Sequence, residues 1–282
     1  MKTGLVLEGG GMRGIYTVGV LDVFLENDIF FDYIIGVSAG AGNAVSYIAK
    51  QKGRGYRCDM DYIHDERYIG KKPWKEEKSV FGLNFIFDEL PKEIDPLDFD
   101  AFYADKAEFV TVATDAMTGN AAYFGKEHLL NQDTTVLKAS ASLPMFSPPI
   151  AYRGKLYYDG GVADSIPVQK ALDDGCDKLL IVLTKKRGYR KGEMKLQHAC
   201  SRLLKEYPKT FEAMQKRHDI YNASLELCDK LEKEGKAIVI APEYPLSVDK
   251  FTTDSEKLEH CYLEGTRDCK HKVDDIKAFL QK

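Results

Sequence analysis

Short apolar runs alternate with longer amphipathic segments along most of this chain. One run, Leu179–Leu183, is apolar at every position, which is typical of a strand in a parallel sheet covered on both faces. The apolar runs predict strands near residues 4–8, 33–37, 107–114, 120–124, 155–158, 178–184 and 236–241. The amphipathic segments predict helices near residues 12–27, 39–52, 132–141, 167–174, 197–232 (broken near Pro208) and 255–281. This alternation predicts an α/β fold, a three-layer α/β/α sandwich with a mainly parallel central sheet.

A glycine-rich turn connects the first predicted strand to the first predicted helix. It reads Glu8-Gly9-Gly10-Gly11-Met12-Arg13-Gly14. Glycine lets backbone N–H groups face a ligand without interference from a Cβ atom, and the N-terminus of the following helix adds partial positive charge. Such a turn stabilises an anion, which can be a phosphate or the oxyanion of an acyl-transfer intermediate.

A second strand-to-helix turn holds a serine between two glycines. The segment Gly36-Val37-Ser38-Ala39-Gly40 follows the apolar run Tyr33-Ile34-Ile35 and matches the G-x-S-x-G pattern of a nucleophile elbow. An elbow forces its serine into a crowded backbone conformation, and small neighbours relieve the clash. The same residues could also form a plain turn in which Ser38 caps the helix. The pattern by itself leaves both interpretations open.

The first glycine turn also matches G-x-G-x-x-G, the dinucleotide-binding fingerprint, at Gly9, Gly11 and Gly14. That fingerprint requires an acidic residue at the end of the second strand, where it binds a ribose hydroxyl. The second predicted strand has no acid at its end, and Asp28 and Asp32 precede it. The sequence therefore disfavours a dinucleotide at this turn.

A third motif, Asp159-Gly160-Gly161, follows the strand predicted near residues 155–158. On its own it is more typical of an Asx turn than of a carboxylate held beside a nucleophile. Together, however, the three motifs resemble the patatin-like phospholipase family, whose pattern is G-G-G-x-[KR]-G, then G-x-S-x-G, then Asp-Gly-Gly or Asp-Gly-Ala. The stretches Ala139–Pro148 and Val162–Val168 are also similar to the family. The resemblance covers roughly residues 4–184 and is strongest to small, single-domain bacterial members.

The resemblance implies a serine acyl hydrolase that cleaves phospholipids or other fatty acyl esters through an acyl-enzyme intermediate. It implies Ser38 as the nucleophile and Asp159 as the base of a Ser-Asp dyad. The oxyanion hole is expected in the first glycine loop, at Gly9, Gly10, Gly11, Met12, Arg13 and Gly14. The glycines expected to shape the elbow and the aspartate motif are Gly36, Gly40, Gly160 and Gly161.

Two alternatives to this function remain open. A serine esterase with a triad runs in the order Ser, acid, His, so its base would be one of the four histidines after Asp159. These lie in polar, helical stretches that are more typical of solvated residues: His198, His218, His260 and His271. A non-catalytic protein would instead bind an anion or a nucleotide at the glycine loop and would hydrolyse no ester.

The composition is that of an ordinary globular protein, 44% hydrophobic and 30% charged. The net charge of −4 gives no general attraction to nucleic acid, so we expect no nucleic-acid partner. No apolar run approaches the roughly 20 residues that cross a bilayer, and no signal-peptide pattern is present. The six cysteines form no disulfide framework. We therefore expect a cytoplasmic protein. No cluster has metal-ligand spacing, and we expect neither metal nor cofactor.

The loop Lys185–Lys191 is strongly basic and follows a strand that is predicted to be buried. It should project from the C-terminal edge of the sheet, where parallel α/β proteins carry their sites. It is either a solvated loop, which is the simpler interpretation, or a surface for peripheral contact with an anionic membrane. Arg13 opposes the helix dipole in the first turn of its helix. An arginine there indicates a role in fixing the glycine loop or in binding a phosphate. The alternative is a side chain that is simply exposed to solvent.

The resemblance also implies one patatin-like domain over residues 1–282. Residues 54–105 are irregular and are interpreted as an insertion or cap over the rim of the active site. Residues 197–282 are interpreted as a helical C-terminal region packed on the domain. The apolar stretch at residues 79–87 inside the insertion is more typical of a packed helix or strand than of a contact with an acyl chain.

Overall fold

The computed structural model describes residues 1–195 and 197–281. Lys282, the last residue of the predicted C-terminal region, lies outside the described residues. The strands are β1 (Thr3–Leu7), β2 (Tyr33–Val37), β3 (Glu108–Asp115), β4 (Ala121–Gly125), β5 (Ile150–Tyr152), β6 (Lys155–Asp159), β7 (Lys178–Val182) and β8 (Ala237–Ile240).

The α-helices are α1 (Gly14–Glu26), α2 (Ala39–Ile48), α3 (Arg54–Met60), α4 (Lys71–Glu77), α5 (Phe99–Ala104), α6 (Thr135–Ala141), α7 (Val168–Asp173), α8 (Gln197–Leu203), α9 (Pro208–Lys233), α10 (Ser255–Lys270) and α11 (Val273–Gln281). Segments of 3₁₀ geometry span Gly11–Arg13, Lys126–Gln132 and Gly160–Val162, and a π-helix spans Phe85–Ile94. Within the described residues, no helix has both the length and the hydrophobicity needed to cross a membrane.

The strands form one sheet in the order β5-β6-β3-β2-β1-β7-β8, with β4 paired to β3 outside this path. The five strands from β3 to β8 in this order are parallel neighbours, whereas β4, β5 and β6 pair antiparallel. Parallel strands end at one common edge, so the turns after β1 and β2 lie side by side. The predicted mainly parallel sheet between helices is confirmed.

Two apolar layers cover the two faces of the sheet, because alternate residues of a strand point to opposite sides. Leu5 and Leu7 pack with α1, α2 and α10 on one face. Val6 and Ile35 pack with α7 and α9 on the other face. Full burial of such side chains contributes about 1.5–3 kcal/mol each. The arrangement leaves the C-terminal edge of the parallel strands free for the glycine turn and the serine turn.

The segment after residue 207 is part of this architecture. Helix α9 covers one face, and β8 extends the sheet by pairing with β7. Helix α10 packs against α1 so closely that a Cβ on Gly265 would lie 2.1 Å from the carbonyl oxygen of Tyr16, and one on Gly19 would lie 2.3 Å from that of Tyr262. Both glycines are therefore required by direct backbone contact between the two helices.

The structure contains elements that the sequence pattern does not predict. Residues 54–105 fold into three short α-helices and the π-helix. The short strand β5 follows two prolines and joins β6 through a tight turn, in which Arg153 (φ 46°) and Gly154 (φ 77°) are left-handed. Three residues are too few to show a period, so the hydrophobic pattern carries no signal for this strand.

Candidate active site

Ser38 lies at the end of β2, immediately before the first residue of α2. Its backbone angles are φ 53° and ψ −124°, a conformation that residues with a side chain rarely adopt. Both flanking glycines permit close contacts. A Cβ on Gly40 would lie 2.6 Å from the carbonyl oxygen of Leu7, and one on Gly36 would lie 2.7 Å from the Cα of Ala41. The turn is therefore strained, and its serine side chain makes no capping bond.

Ser140 on α6 holds this strained turn in place. The Ser38 N–H donates to Ser140 Oγ at 2.8 Å, and the Ser140 hydroxyl donates to the carbonyl oxygen of Val112 on β3 at 2.6 Å. Ser140 is completely buried, so each of these bonds replaces water that is excluded from the site. Sequence reasoning assigned Ser140 no role. The residue lies in the family-like stretch 139–148, which was the one available signal.

Asp159 ends β6, opposite Ala113 on β3, and its side chain is buried. Its Oδ1 accepts a hydrogen bond from the Gly161 N–H at 2.7 Å. Among the described residues, its Oδ2 is buried without a hydrogen-bond partner. Burial raises the pKa of Asp159, while the neighbouring Ser38 hydroxyl, the Gly161 N–H and two cations, Arg217 and Lys250, act to lower it.

The serine and the aspartate are therefore neighbours without a direct hydrogen bond in the described residues. Catalytic hydrogen bonds are often long before substrate binds and shorten in the complex. An unpartnered carboxylate oxygen next to a hydroxyl has the chemistry of a proton acceptor. Close packing continues behind it, since a Cβ on Gly160 would lie 2.2 Å from the carbonyl oxygen of Val112.

The glycine loop lies directly against the serine turn. A Cβ on Gly9 would lie 3.1 Å from the Cβ of Ser38. The N–H groups of Gly10 and Gly11 meet no acceptor among the described residues, and Gly11 is left-handed at φ 57°. These two groups are available to an oxyanion.

The other loop positions named by the sequence have different surroundings. The Met12 N–H donates to the carbonyl oxygen of Lys250 at 3.3 Å, and the Gly14 N–H closes the 3₁₀ turn onto Gly11 and Met12. Arg13 is half-buried, and its Nε has no partner among the described residues.

An apolar cavity opens beside Ser38. Its accessible volume is about 110 Å³. Part of its wall comes from the insertion, through Phe81, Leu83, Ile86 and Phe87. The stretch 79–87 thus belongs to the packed core, as its pattern favoured, and it also lines the cavity. Helix α6 supplies a second wall through Leu137 and Ala141.

In the structure, three of the six histidines bond to groups other than Ser38 or Asp159, and the other three are exposed. Their partners are Ser255 Oγ for His64 (2.7 Å), the Tyr152 hydroxyl for His128 (2.9 Å) and the Gln215 carbonyl for His218 (2.9 Å), whereas His198, His260 and His271 are exposed. This arrangement supplies no histidine base to the serine. Within residues 1–195 and 197–281, no group of three or more His, Cys, Asp or Glu side chains could hold a metal ion.

The basic loop Lys185–Lys191 folds against α9. Arg187 forms an ion pair with Glu232 at 2.8 Å, and Arg190 lies 3.7 Å from Asp229. Lys185 and Lys191 are half-buried. The arginines of this loop are therefore partly neutralised, which leaves less positive charge for an anionic membrane than the sequence alone indicates.

Family comparisons divide the chain into two parts. The family model described as patatin-like phospholipase matches residues 5–172. A second model, described as a domain of unknown function (DUF6363), matches residues 207–281, the segment that contains α9, β8 and α10.

Individual relatives agree with the first match. The uncharacterized protein YjjU of Escherichia coli is 30% identical over 65% of this chain and 52% of its own length. The lysophospholipase NTE1 of Cryptococcus neoformans is 27% identical over 64% of this chain and 11% of its own length. This chain thus spans about half of the first relative and about a tenth of the second. The solved structure of VipD from Legionella pneumophila is similar in fold, with a TM-score of 0.53 and 14% identity. The match covers 97% of this chain and 67% of the VipD chain.

Proposed function

This chain belongs to the patatin-like phospholipase family, and from that premise we propose that it is a serine acyl hydrolase acting on fatty acyl esters of lipids. The observation that carries the proposal is the strained Ser38 turn, which lies beside the unpartnered Oδ2 of Asp159 and lines an apolar cavity. The name of the NTE1 lysophospholipases supports a lipid ester as the substrate class.

In the acylation step, Ser38 Oγ attacks the ester carbonyl carbon and Asp159 Oδ2 accepts the hydroxyl proton. The carbonyl oxygen becomes an oxyanion, which the N–H groups of Gly10 and Gly11 stabilise. When the tetrahedral intermediate collapses, the ester C–O bond breaks and Asp159 returns the proton to the departing alcohol. The products of this step are the free alcohol and an acyl group on Ser38.

In the deacylation step, water takes the place of the alcohol. Asp159 accepts a proton from the water, whose oxygen attacks the acyl carbonyl, and the same N–H groups hold the second oxyanion. Collapse breaks the bond to Ser38 Oγ, which regains the proton, and the fatty acid leaves. Burial raises the pKa of Asp159, which makes this carboxylate a stronger base than an exposed one.

A fluorophosphonate probe tests the proposal directly. It reacts with an activated serine hydroxyl through loss of fluoride, so we expect a single labelled peptide that contains Ser38. Mass spectrometry of the purified, labelled protein locates the adduct. A denatured sample is the control and should stay unlabelled. Labelling at another serine, or at none, would contradict the proposed nucleophile.

The cavity predicts a preference that depends on acyl length. Ala141 lines it from the end of α6, so Ala141→Phe should fill part of the space that a long chain needs. We expect kcat/KM for dodecanoyl and longer nitrophenyl esters to fall about tenfold or more, because a side chain of this size displaces several methylene contacts, each worth about 0.8 kcal/mol. Butanoyl esters should change less than threefold.

The matched control for this variant is Ala141→Ser, which adds little volume and should leave the length profile unchanged. An equal loss on short and long esters in Ala141→Phe would show that the substitution damages the catalytic groups. The acyl chain would then have to be placed outside this cavity.

A further inference from the structure

We propose that cations from separate segments of the chain form an anion-binding subsite beside Ser38, and that this subsite holds the phosphate group of a phosphate-bearing lipid ester. It consists of five half-buried cations, here called the cationic cluster: Arg13, Lys185, Lys191, Arg217 and Lys250. The anion site follows from these contacts alone, whereas its use by a lipid rests on the proposed function.

Arg217 on α9 reaches the Asp-Gly-Gly motif. Its Nε donates to Ser165 Oγ at 3.2 Å, and the Ser165 hydroxyl donates to the carbonyl oxygen of Gly161 at 2.7 Å. Its Nη2 lies 3.2 Å from the place that a Cβ on Gly161 would occupy, and Asp159 Oδ1 lies 3.0 Å from the same place. The guanidinium is therefore fixed next to the proposed base, with its terminal nitrogens open to a ligand.

Lys250 packs against the glycine loop, where a Cβ on Gly11 would lie 2.6 Å from its carbonyl oxygen. Its carbonyl oxygen accepts the Met12 N–H, which fixes its backbone to the loop. Its ammonium group lies 4.4 Å from the ring centre of Phe146 and 4.8 Å from that of Phe251. Burial and the nearby guanidiniums of Arg217 and Arg13 lower the pKa of Lys250, and Asp159 acts in the other direction.

Lys185 and Lys191 complete the cluster from the basic loop. Their ammonium groups lie 5.2 Å from the ring centre of Tyr189 and 5.4 Å from that of Tyr221, respectively. Burial and the positive charges of Arg217, Lys185 and Arg13 lower the pKa of Lys191 to about 8, against the opposing effect of Glu8. Four separate segments of the chain thus bring like charges together.

The cluster lacks matched counter-charges. None of its five cations forms an ion pair within 4.0 Å in the part of the chain that the structure describes, although Arg187 and Arg190 beside them do. Three carboxyl groups lie near enough to raise the pKa of the lysines in the cluster, those of Glu8, Asp159 and Asp249.

Both carboxylate oxygens of Glu8 accept hydrogen bonds from neutral donors and form no ion pair with the cluster. Its Oε2 accepts from the Thr184 N–H at 2.6 Å, and its Oε1 accepts from the Tyr221 hydroxyl at 2.6 Å. Gathering partly buried cations without partners is unfavourable, and a bound anion would offset that cost.

A phosphate group fits this arrangement best. Neighbouring guanidinium and ammonium groups suit a tetrahedral anion, which accepts charge-assisted hydrogen bonds on several oxygens. None of the five cations lines the apolar cavity. A substrate with its acyl chain in the cavity and its ester at Ser38 would therefore place its polar end at the cluster.

The test compares two substrates that share one acyl chain, 1-acylglycerol 3-phosphate and 1-acylglycerol, at concentrations where both are monomeric. The readout is the ratio of their kcat/KM values, because changes in the shared chemistry cancel in it. We expect the wild-type protein to have the higher kcat/KM on the phosphate ester. The double variant Lys191→Met with Lys250→Met should lower the ratio of the two kcat/KM values at least tenfold. Lys250→Arg should restore most of the ratio lost in Lys250→Met. The control is Lys186→Met, an exposed lysine of the same loop, which should leave the ratio unchanged.

Inorganic phosphate separates the two sources of the anion. A free-phosphate site would raise the melting temperature of the protein with added phosphate, less so in the double variant, while the substrate ratio stays near one. That outcome keeps the anion site and overturns the lipid assignment. If the double variant matches the wild type in the ratio and in phosphate stabilisation, the subsite is refuted. If the protein hydrolyses neither ester, the proposed function fails, and the melting experiment alone decides the anion site.

Discussion

Replacing Ser38 by alanine is expected to lower ester hydrolysis by about 10⁴-fold or more, because no other group in the site can form the acyl intermediate. The fold should survive. The N–H that Ser140 holds is retained in the variant, and the Ser38 hydroxyl makes no hydrogen bond on which the turn depends. Steady-state hydrolysis of nitrophenyl butanoate and a thermal melt measure the two effects.

A matched control is Ser201→Ala, which removes a hydroxyl from an exposed position on α8. It should change neither activity nor melting temperature. If Ser38→Ala kept more than about a tenth of the activity, another nucleophile or a contaminating esterase would have to be sought. Fluorophosphonate labelling of the same variant tells these two explanations apart, because another nucleophile would label this protein at a new residue, whereas a contaminating esterase would leave this protein unlabelled.

Replacing Asp159 by asparagine is expected to lower kcat about 10²–10⁴-fold, which is the usual contribution of a general base. The amide oxygen can still accept the Gly161 N–H, whose bond to Oδ1 is 2.7 Å long, so the local structure should persist. The amide cannot accept a proton from Ser38 or from water. A pH–rate profile and kcat on a soluble ester measure the loss.

The same variant should be at least as stable as the wild type at neutral pH. Burial raises the pKa of Asp159 above its ordinary value of 3.8, so the folded state binds the proton more tightly than the unfolded state. Its ionisation therefore weakens the fold as the pH rises from the ordinary value through the raised one. Asparagine carries no charge and escapes this effect. A melting temperature several degrees lower would argue against this assignment.

Histidine variants separate a dyad from a triad. Single replacements of the four histidines after Asp159 should each leave activity within a few-fold: His198, His218, His260 and His271. They should do so because His218 contacts the Gln215 carbonyl and the other three are exposed. One histidine variant as inactive as Asp159→Asn, and still folded, would establish a Ser-acid-His mechanism instead.

The turns of the site were predictable because each depends on consecutive residue types. A positive φ at Ser38 with glycine on both sides is a local requirement, and the G-x-S-x-G pattern states it. The same holds for the glycine loop, where Gly11 is left-handed. The mainly parallel sheet follows from continuous apolar runs separated by helices. That Ser38 and Asp159 act as a catalytic pair stays a prediction.

The support of the site was not predictable, because it comes from residues that are distant in sequence. Ser140 is 102 residues from the N–H that it holds, and an interior serine has no pattern of its own. Lys250 meets the glycine loop only because β8 returns the chain to the sheet. The sequence also presented Lys185–Lys191 as a projecting basic loop, whereas Glu232 on α9 binds one of its arginines.

The sequence by itself determined the α/β class, the parallel core and the three motif turns, since backbone conformation and strand burial are set by neighbouring residues. Only the tertiary structure decided which side chains surround those turns. The wall of the cavity, the bond from Ser140 and the unpaired cationic cluster all depend on how the insertion and the C-terminal region pack onto the sheet. Such packing is a sum of many weak contacts between distant segments, and no short stretch of sequence records it.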